Sequence, residues 1–319
     1  MSYKRTSKSS DHDVKSIRIL DIYSKLMAGE FLSKSQIAQI YDVDVRSIQR
    51  DFAQIRDFLD THTEIGKELH YDQRSQRYYL RNTNNKELTI SEIFAVCKIL
   101  LESRSMPRKD MTVIIDKILE ICPAYEEKNR LCELVKNEKY NYFPPHHNKP
   151  IIKTIWEVGK AIYEHRVIKM KYRTPGKALG EREIKPVGIM FSEMYFYLIA
   201  FPYPDDPEKK YPKCFRIDRI VTYEITDEHF QVPYEKQFKE GEFRKRIQFM
   251  FGGELHRIKF YYKGVADDIV YDRFPTAKLL ETNECGKLFT AEIYGDFGFE
   301  LWRRMQAEFV EVVENEKKS

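Results

Sequence analysis

Residues 214–220 read CFRIDRI, and this run decides how the middle of the chain is interpreted. Its apolar residues alternate with charged ones, as in a strand that has one buried face. Arg216, Asp218 and Arg219 are nevertheless too close together for a plain solvent-facing row beside such apolar neighbours. The cluster is therefore either a structural ion pair or the floor of a site that receives an anion, and the run alone leaves both possibilities open.

The residues around this run predict a helix followed by short antiparallel strands. Residues 151–162 place apolar side chains on one helical face, whereas the segments at about 182–191, 195–201 and 213–218 have the period of strands. A charged loop that contains prolines precedes the last of them. A helix followed by such strands favours a small barrel-like or strongly curved sheet.

A concave face of this sheet would suit a phosphate-bearing or nucleic-acid ligand. Guanidinium groups bind phosphate through two hydrogen bonds, and aromatic rings stack on bases. Five residues could lie together on such a face: Tyr172, Arg182, Tyr197, Arg216 and Arg219. The alternative is that Asp218 pairs with Arg219 or Arg182 and that the tyrosines belong to the core.

The first part of the chain predicts three short helices and a hairpin. Helical periods occur over residues 14–27 and again from Ser33, where Ile37 and Ile40 point inward. Asp44 can cap a third helix. The apolar residues of that helix share one face: Ile48, Phe52, Ile55 and Leu59. Two short strands around a polar turn follow, and this order predicts a winged helix-turn-helix.

Polar side chains of this part could contact DNA. Those of the third helix that point away from the apolar stripe can donate to base edges or phosphates, and the hairpin turn and the basic N-terminal arm can contact the backbone. The candidate DNA-contacting residues are Ser33, Lys34, Arg46, Ser47, Gln49, Arg50, Arg74 and Arg77. The alternative is an ordinary helical hairpin with a solvated face, which Asp51 and Asp57 on the long helix favour.

The rest of the chain predicts more helices and a third unit. Residues 88–140 have helical periods, and the proline-rich segment 141–150 is a linker candidate. From about Arg246 the order strand–helix–strand–strand–helix–strand is ferredoxin-like. Trp156 and Trp302 fall on amphipathic helices and are predicted to be core residues.

Composition limits the classes of function. The chain has 319 residues, 42% of them hydrophobic, and a net charge of +4, which fits a soluble protein of several domains. The five cysteines contain no C-x-x-C pair, so reduced thiols are expected; Cys214 beside Arg216 is either a reactive thiol or a half-buried structural one. No targeting segment or membrane-spanning run occurs, so a cytoplasmic protein without a membrane partner is expected. The histidines are dispersed, and His146 and His147 are expected to be solvated in the linker.

No dinucleotide, P-loop, nucleophile-elbow or zinc-protease motif occurs in the sequence. We therefore expect no catalytic residue, no metal site and no cofactor.

The chain resembles the WYL-domain transcriptional regulators of bacteria. The resemblance lies in the helix IIKTIWEVGKAIYEHR (151–166), the strands VIKMKYR (167–173) and REIKPVGIMF (182–191), FYL (196–198) and FRIDRI (215–220). It extends to SKSQIAQIYDVDVRSIQRDF (33–52) and GFELWRRMQAEFVEVVE (298–314). Two positions depart from the family pattern: Phe196 stands where the family has its naming tryptophan, and Lys213 stands where relatives often have arginine.

The resemblance implies an α+β multi-domain chain. It consists of an N-terminal arm and winged helix-turn-helix (1–82), a helical linker (83–145), an Sm-like β-barrel WYL domain (146–232) and a ferredoxin-like C-terminal extension (233–319). The implied ligand-binding residues are Tyr172, Arg182, Tyr197, Arg216 and Arg219.

The implied function is a ligand-responsive transcriptional regulator that binds double-stranded DNA as a homodimer at an inverted-repeat operator. Its effector would be a nucleotide or a nucleic acid. The alternative is a nucleic-acid-processing or defence-associated accessory protein whose winged helix only docks the substrate. A further possibility is that the middle unit docks another protein.

Overall fold

The computed structural model describes residues 11–73, 75–83, 88–122, 125–205, 211–231 and 237–316. The chain divides into two compact units: Met1–Glu102 with Arg108–Phe143, and Ser103–Pro107 with Pro144–Ser319. Both contain helices, and their sheets are antiparallel, which confirms the mixed α and β content. Among the described residues no helix is long and apolar enough to cross a membrane.

The first unit begins with three helices and a hairpin. They are α1 (Asp11–Met27), α2 (Lys34–Tyr41), α3 (Val45–Thr61), β1 (Lys67–Asp72) and β2 (Arg77–Asn82). β1 and β2 pair antiparallel, and Leu32 forms an isolated bridge with Tyr78 of β2. Asp44 caps α3 as predicted, because its carboxylate accepts the Arg46 backbone N–H at 2.8 Å.

The apolar stripe of α3 lies in the core of this part, as predicted. All four stripe residues are buried: Ile48, Phe52, Ile55 and Leu59. The prediction for Ile40 was wrong, since this side chain is 67% exposed. Ile37 and Ala38 define the inward face of α2, and Ile40 lies about 200° around the helix from Ala38.

A buried ion pair joins α1 to α3. Arg18 Nε donates to Asp51 Oδ2 at 2.6 Å, and the two side chains are 7% and 0% exposed. The interpretation of Asp51 as part of a solvated face was therefore wrong. Asp51 comes three residues after Ile48 and lies on the same buried side of α3. Its negative charge is neutralised inside the unit and does not argue against DNA binding by the outer face of α3.

The first unit continues with three more helices, as the periods of residues 88–140 predicted. They are α4 (Ile90–Ser103), α5 (Arg108–Glu120) and α6 (Tyr125–Tyr140). Each buries one apolar row, for example Ile93, Cys97 and Leu101 on α4. Arg108 donates to the backbone carbonyl of Tyr140 at 2.7 Å and so ties the start of α5 to the end of α6.

The second unit contains a helix and a five-stranded antiparallel sheet. These are α7 (Ile152–Tyr163), β3 (Arg166–Arg173), β4 (Leu179–Ser192), β5 (Tyr195–Pro202), β6 (Lys213–Arg216) and β7 (Ile220–His229). The strand order is β6-β5-β4-β3-β7, so the described strands form an open sheet and no closed barrel. The strand predicted at 213–218 ends at Arg216, because Ile217–Arg219 is a 3₁₀ turn that leads into β7.

The second unit ends with a four-stranded sheet and its helices. They are α8 (Glu240–Arg244), β8 (Leu255–Tyr262), α9 (Asp268–Arg273), β9 (Lys278–Asn283), β10 (Gly286–Tyr294), α10 (Phe297–Gln306) and β11 (Val310–Glu316). The strand order β11-β8-β10-β9 confirms the predicted strand–helix–strand–strand–helix–strand arrangement. Aromatic rings fill its core: Phe260, Phe274, Phe289, Phe299 and Trp302.

The two tryptophans have different environments. Trp302 is 3% exposed and packs against Phe260, as predicted. Trp156 was predicted to be core and this was wrong, since the side chain is 68% exposed. The inward face of α7 is formed by Ile155, Val158 and Ile162, and Trp156 projects on the other side.

Candidate functional site

The outer face of α3 begins with polar and basic side chains. Arg46, Gln49 and Arg50 are exposed and Ser47 is half-buried. Residues 45–50 contain no acidic side chain, whereas exposed acidic side chains of α3 occur only in its second half, at Asp57 and Asp60. The first turns of α3 therefore present hydrogen-bond donors and positive charge to solvent.

The hairpin lies beside the start of α2. The Lys34 ammonium group is 5.5 Å from the ring centroids of both Tyr71 and Tyr78, which are cation–π distances. Ser33 precedes α2 and is half-buried, and its hydroxyl contacts that of Ser35. Arg77 is exposed at the first position of β2. Arg74, the other hairpin candidate, lies outside the described residues.

An ion pair dominates the end of β6. Arg216 binds Asp218 through two hydrogen bonds, Nε to Oδ1 at 3.0 Å and Nη2 to Oδ2 at 2.9 Å. The side chains are 17% and 6% exposed. The Arg216 guanidinium carbon also lies 3.3 Å from the ring centroid of Tyr195. Burial opposes the charge of Arg216, but the bonds to Asp218 outweigh it and raise the pKa of the guanidinium.

Arg219 has a different environment on the same 3₁₀ turn. It is half-buried, its positive charge acts on the Tyr172 hydroxyl, and no carboxylate in the described ranges pairs with it. The Tyr172 hydroxyl also accepts the Arg216 backbone N–H at 3.0 Å. Asp218 thus neutralises Arg216, whereas Arg219 on the same turn has no such partner among the described residues.

The predicted ligand residues do not share one face of the sheet. Tyr197 lies directly opposite Arg216 in the β5–β6 register, so these two do share a face. Tyr172 instead belongs to the core on the other face, and its hydroxyl reaches the sheet edge at the 3₁₀ turn. The predicted residues therefore form no single concave surface. Tyr172 and Arg216 come together only at the edge of the sheet, through the Tyr172 hydroxyl.

Arg182 stands apart from this cluster. It is exposed on β4, opposite Met170 in the register, and its Nη1 donates to the Glu181 carbonyl at 2.6 Å. A Cβ built on Gly180, the register partner of Tyr172, would lie 2.8 Å from Arg182 Nη1. The guanidinium thus lies over the strand position next to Tyr172, on the face opposite to Tyr197.

Three further residues belong to this cluster and were not predicted to be ligand-site residues. The Tyr195 ring packs against the Arg216 guanidinium, and the centroids of the His147 and Tyr195 rings are 6.1 Å apart. Lys149 Nζ donates to the Asp218 carbonyl at 2.6 Å. The interpretation of His147 as a solvated linker residue was wrong, since it is half-buried. No local pattern indicates these contacts, because Lys149 and Asp218 are 69 residues apart.

Burial sets the protonation of the uncharged groups in and near the cluster. It raises the pKa of both Tyr172 and Tyr197, so their hydroxyls stay protonated and can donate. It also raises the pKa of Cys214 to about 12. A reactive cysteine needs a depressed pKa, so Cys214 behaves as a structural thiol.

Charged groups and aromatic rings, rather than a metal site, mark this cluster. Within the described ranges no three His, Cys, Asp or Glu side chains are placed to hold a metal ion. A depression of about 400 Å³ lies instead on the C-terminal sheet, between Arg257, Lys278 and Thr290. At that place Glu292 accepts hydrogen bonds from Arg246 and Arg257, so part of the positive charge is already neutralised. We therefore regard the edge at Arg216 to Arg219 as the candidate site.

Residues 154–225 match the WYL domain family model. The match begins within α7 and ends within β7, and it includes both the Arg216–Asp218 pair and Arg219. The chain therefore contains a WYL domain. No curated protein matches the chain.

Two solved structures are similar to the whole chain at low identity. One is proteasome accessory factor B/C (PafBC) of Arthrobacter aurescens, with 15% identity and a TM-score of 0.28; the match covers 95% of this chain and 44% of that one. The chain thus spans less than half the length of PafBC. The other is a CRISPR Cas-related protein, with 13% identity and a TM-score of 0.35; the match covers 97% of this chain and 83% of that one.

Proposed function

We propose that the chain is a ligand-responsive, DNA-binding transcriptional regulator without catalytic activity. In this proposal residues 1–82 form a winged helix that reads double-stranded DNA, and residues 83–145 form a helical linker. Residues 146–232 sense a nucleotide or nucleic-acid effector with an Sm-like WYL domain, and residues 233–319 form a C-terminal extension. One observation carries the proposal: exposed basic and amide side chains begin α3, in the same chain as a WYL domain with an unneutralised arginine.

The DNA-reading role is supported by the charge distribution on α3. Arg46, Gln49 and Arg50 project from its first turns, where a recognition helix contacts base edges in the major groove. Lys34 and Arg77, near the hairpin, are suited to phosphates. Two winged helices in a homodimer would bind half-sites about one helical turn apart, so we expect an inverted repeat.

The ligand-sensing role is supported by the difference between the two arginines. Asp218 accepts two of the five N–H groups of Arg216 and neutralises its charge, whereas Arg219 has no carboxylate partner among the described residues and is the guanidinium better suited to a phosphate. Tyr197, opposite Arg216 in the strand register, offers an aromatic ring, and bases stack on such rings. An effector regulates DNA affinity only if it binds one arrangement of the dimer more tightly than another.

The experiment that tests this function is a selection of duplexes from a random DNA pool by the purified protein. Arg50→Ala is tested in parallel, with Arg56→Ala as a control for an exposed arginine on the second half of the same helix. We expect the wild type and Arg56→Ala to enrich the same inverted repeat and Arg50→Ala to enrich none. Enrichment of the same repeat by Arg50→Ala would remove this residue from the DNA-reading surface.

A further inference from the structure

Residues 144–150, called the strap here, form an ordered segment against the candidate ligand site. The strap begins where the first unit ends at Phe143, and it leads into α7. Asn148 N donates to the Pro145 carbonyl at 3.1 Å, and Asn148 has a left-handed backbone conformation with φ of 46°. Asparagine tolerates this conformation better than most residues, which makes a tight turn possible here.

The strap contacts the site at two points. Lys149 Nζ donates to the Asp218 carbonyl at 2.6 Å, and the His147 ring lies beside Tyr195, whose face carries the Arg216 guanidinium. Lys149 N also donates to His147 Nδ1 at 3.0 Å, so this nitrogen is unprotonated and the neutral ring holds its proton on Nε2. Burial lowers the pKa of His147, in agreement with a neutral ring.

Both contacts of the strap involve residues that bind the Arg216–Asp218 ion pair or belong to it, and a bound ligand would disturb this pair. Asp218 holds Arg216 with its carboxylate and Lys149 with its backbone carbonyl. A phosphate on Arg219 would approach the same 3₁₀ turn and compete with Asp218 for Arg216. Any rotation of that turn moves the carbonyl to which Lys149 is bound.

We propose that Lys149 is the residue that couples the ligand site to the first unit. It is a positioning residue: it holds the strap on the Asp218 turn in one state and lets it move when the turn rearranges. The inference rests on the proposed function and adds to it the route by which an anionic effector alters DNA affinity. A coupling route requires an element with two arrangements that both sites bias, and the strap is the segment that leads out of the first unit into this site.

The test compares Lys149→Met with Lys153→Met. Lys153 is a matched control, because it is a lysine on the adjoining helix whose side chain is 86% exposed and only pairs loosely with Glu157 at 3.6 Å. For each protein, fluorescence anisotropy measures two affinities. The first is for a short random single-stranded oligonucleotide, and the second is for duplex DNA with and without that oligonucleotide at matched salt.

We expect Lys149→Met to bind the oligonucleotide like the wild type but to show the same duplex affinity with and without it. Lys153→Met should respond like the wild type. The inference is overturned if Lys149→Met responds fully, or if it loses oligonucleotide binding itself, because Lys149 would then be a ligand contact.

A wild-type protein that binds no oligonucleotide would contradict the proposed effector class instead. In that case the coupling role of the strap is tested by the affinity of each variant for duplex DNA without the oligonucleotide. A change of about 2- to 30-fold in Lys149→Met and none in Lys153→Met supports coupling. Equal affinities of the two variants contradict it.

Discussion

Arg216→Gln should mainly lower the stability of the second unit, whereas Arg219→Gln should mainly weaken ligand binding. Arg216→Gln leaves Asp218 without its counter-charge at a position where the carboxylate is 6% exposed. Breaking a buried pair costs about 3–5 kcal/mol, and the lower end applies because Arg216 keeps some exposure. For a folding unit of this size, about 3 kcal/mol lowers the melting temperature by roughly 6–12 °C.

Arg219→Gln removes a charge near the Tyr172 hydroxyl and breaks no ion pair among the described residues. The expected loss of stability is about 1 kcal/mol, or roughly 2–4 °C. Its effect on ligand binding should be larger, because charged hydrogen bonds to a phosphate contribute about 1.5–3 kcal/mol. We therefore expect the dissociation constant of a single-stranded oligonucleotide to rise roughly 10- to 150-fold.

Differential scanning calorimetry and fluorescence anisotropy measure the two quantities on the same samples. Arg173→Gln is the control, since Arg173 is an exposed arginine at the end of the neighbouring strand β3. We expect it to change neither quantity beyond the error. If Arg219→Gln melts as low as Arg216→Gln and still binds the oligonucleotide like the wild type, both arginines are structural and the ligand site lies elsewhere.

Three further predictions concern α3, the core and the acid limit of stability. Arg50→Ala should weaken binding to the selected duplex by about 1–3 kcal/mol while Arg56→Ala leaves it unchanged, measured by gel-shift titration at fixed salt. Trp302→Ala should destabilise the second unit by about 3–5 kcal/mol in calorimetry, whereas Trp156→Ala, at an exposed site, should change stability by less than about 0.5 kcal/mol. Hydrogen bonds from Arg246 and Lys245 hold the pKa of Glu242 at about 2, below its ordinary 4.5. The stabilising contribution of Glu242 is therefore present above pH 4.5 and is lost as the pH falls towards 2. When the melting temperature is measured against pH, Glu242→Gln should make the curve flatter between pH 4.5 and pH 2.

The sequence predicted the helices and strands well where one apolar period was strong. The stripe of α3 and the cap at Asp44 needed only local information, since helical spacing and a side-chain acceptor define them. The prediction for Trp156 was wrong because it rested on the residue type, whereas Trp156 lies off the apolar face that Ile155, Val158 and Ile162 form on α7. The prediction for Asp51 was wrong because its ion-pair partner, Arg18, lies on another helix and is not indicated by the local pattern of α3.

The candidate ligand site was predictable only in part. The density of charge in CFRIDRI indicated that something unusual happens there, but alternation alone predicted a continuing strand rather than the 3₁₀ turn. That turn decides which arginine is neutralised by Asp218 and which is not. The contacts of His147 and Lys149 depend on how the strap lies against the sheet, and no spacing in the sequence encodes it.

The most direct test of the central claim is the affinity of the wild-type protein for its selected duplex with and without a saturating single-stranded oligonucleotide. A ligand-responsive regulator requires a coupling between the two binding sites. We predict that the dissociation constant for the duplex changes by about 5- to 150-fold when the oligonucleotide is added. An unchanged dissociation constant, measured where the oligonucleotide is itself bound, would contradict the claim that this chain reads DNA in response to a nucleic-acid ligand.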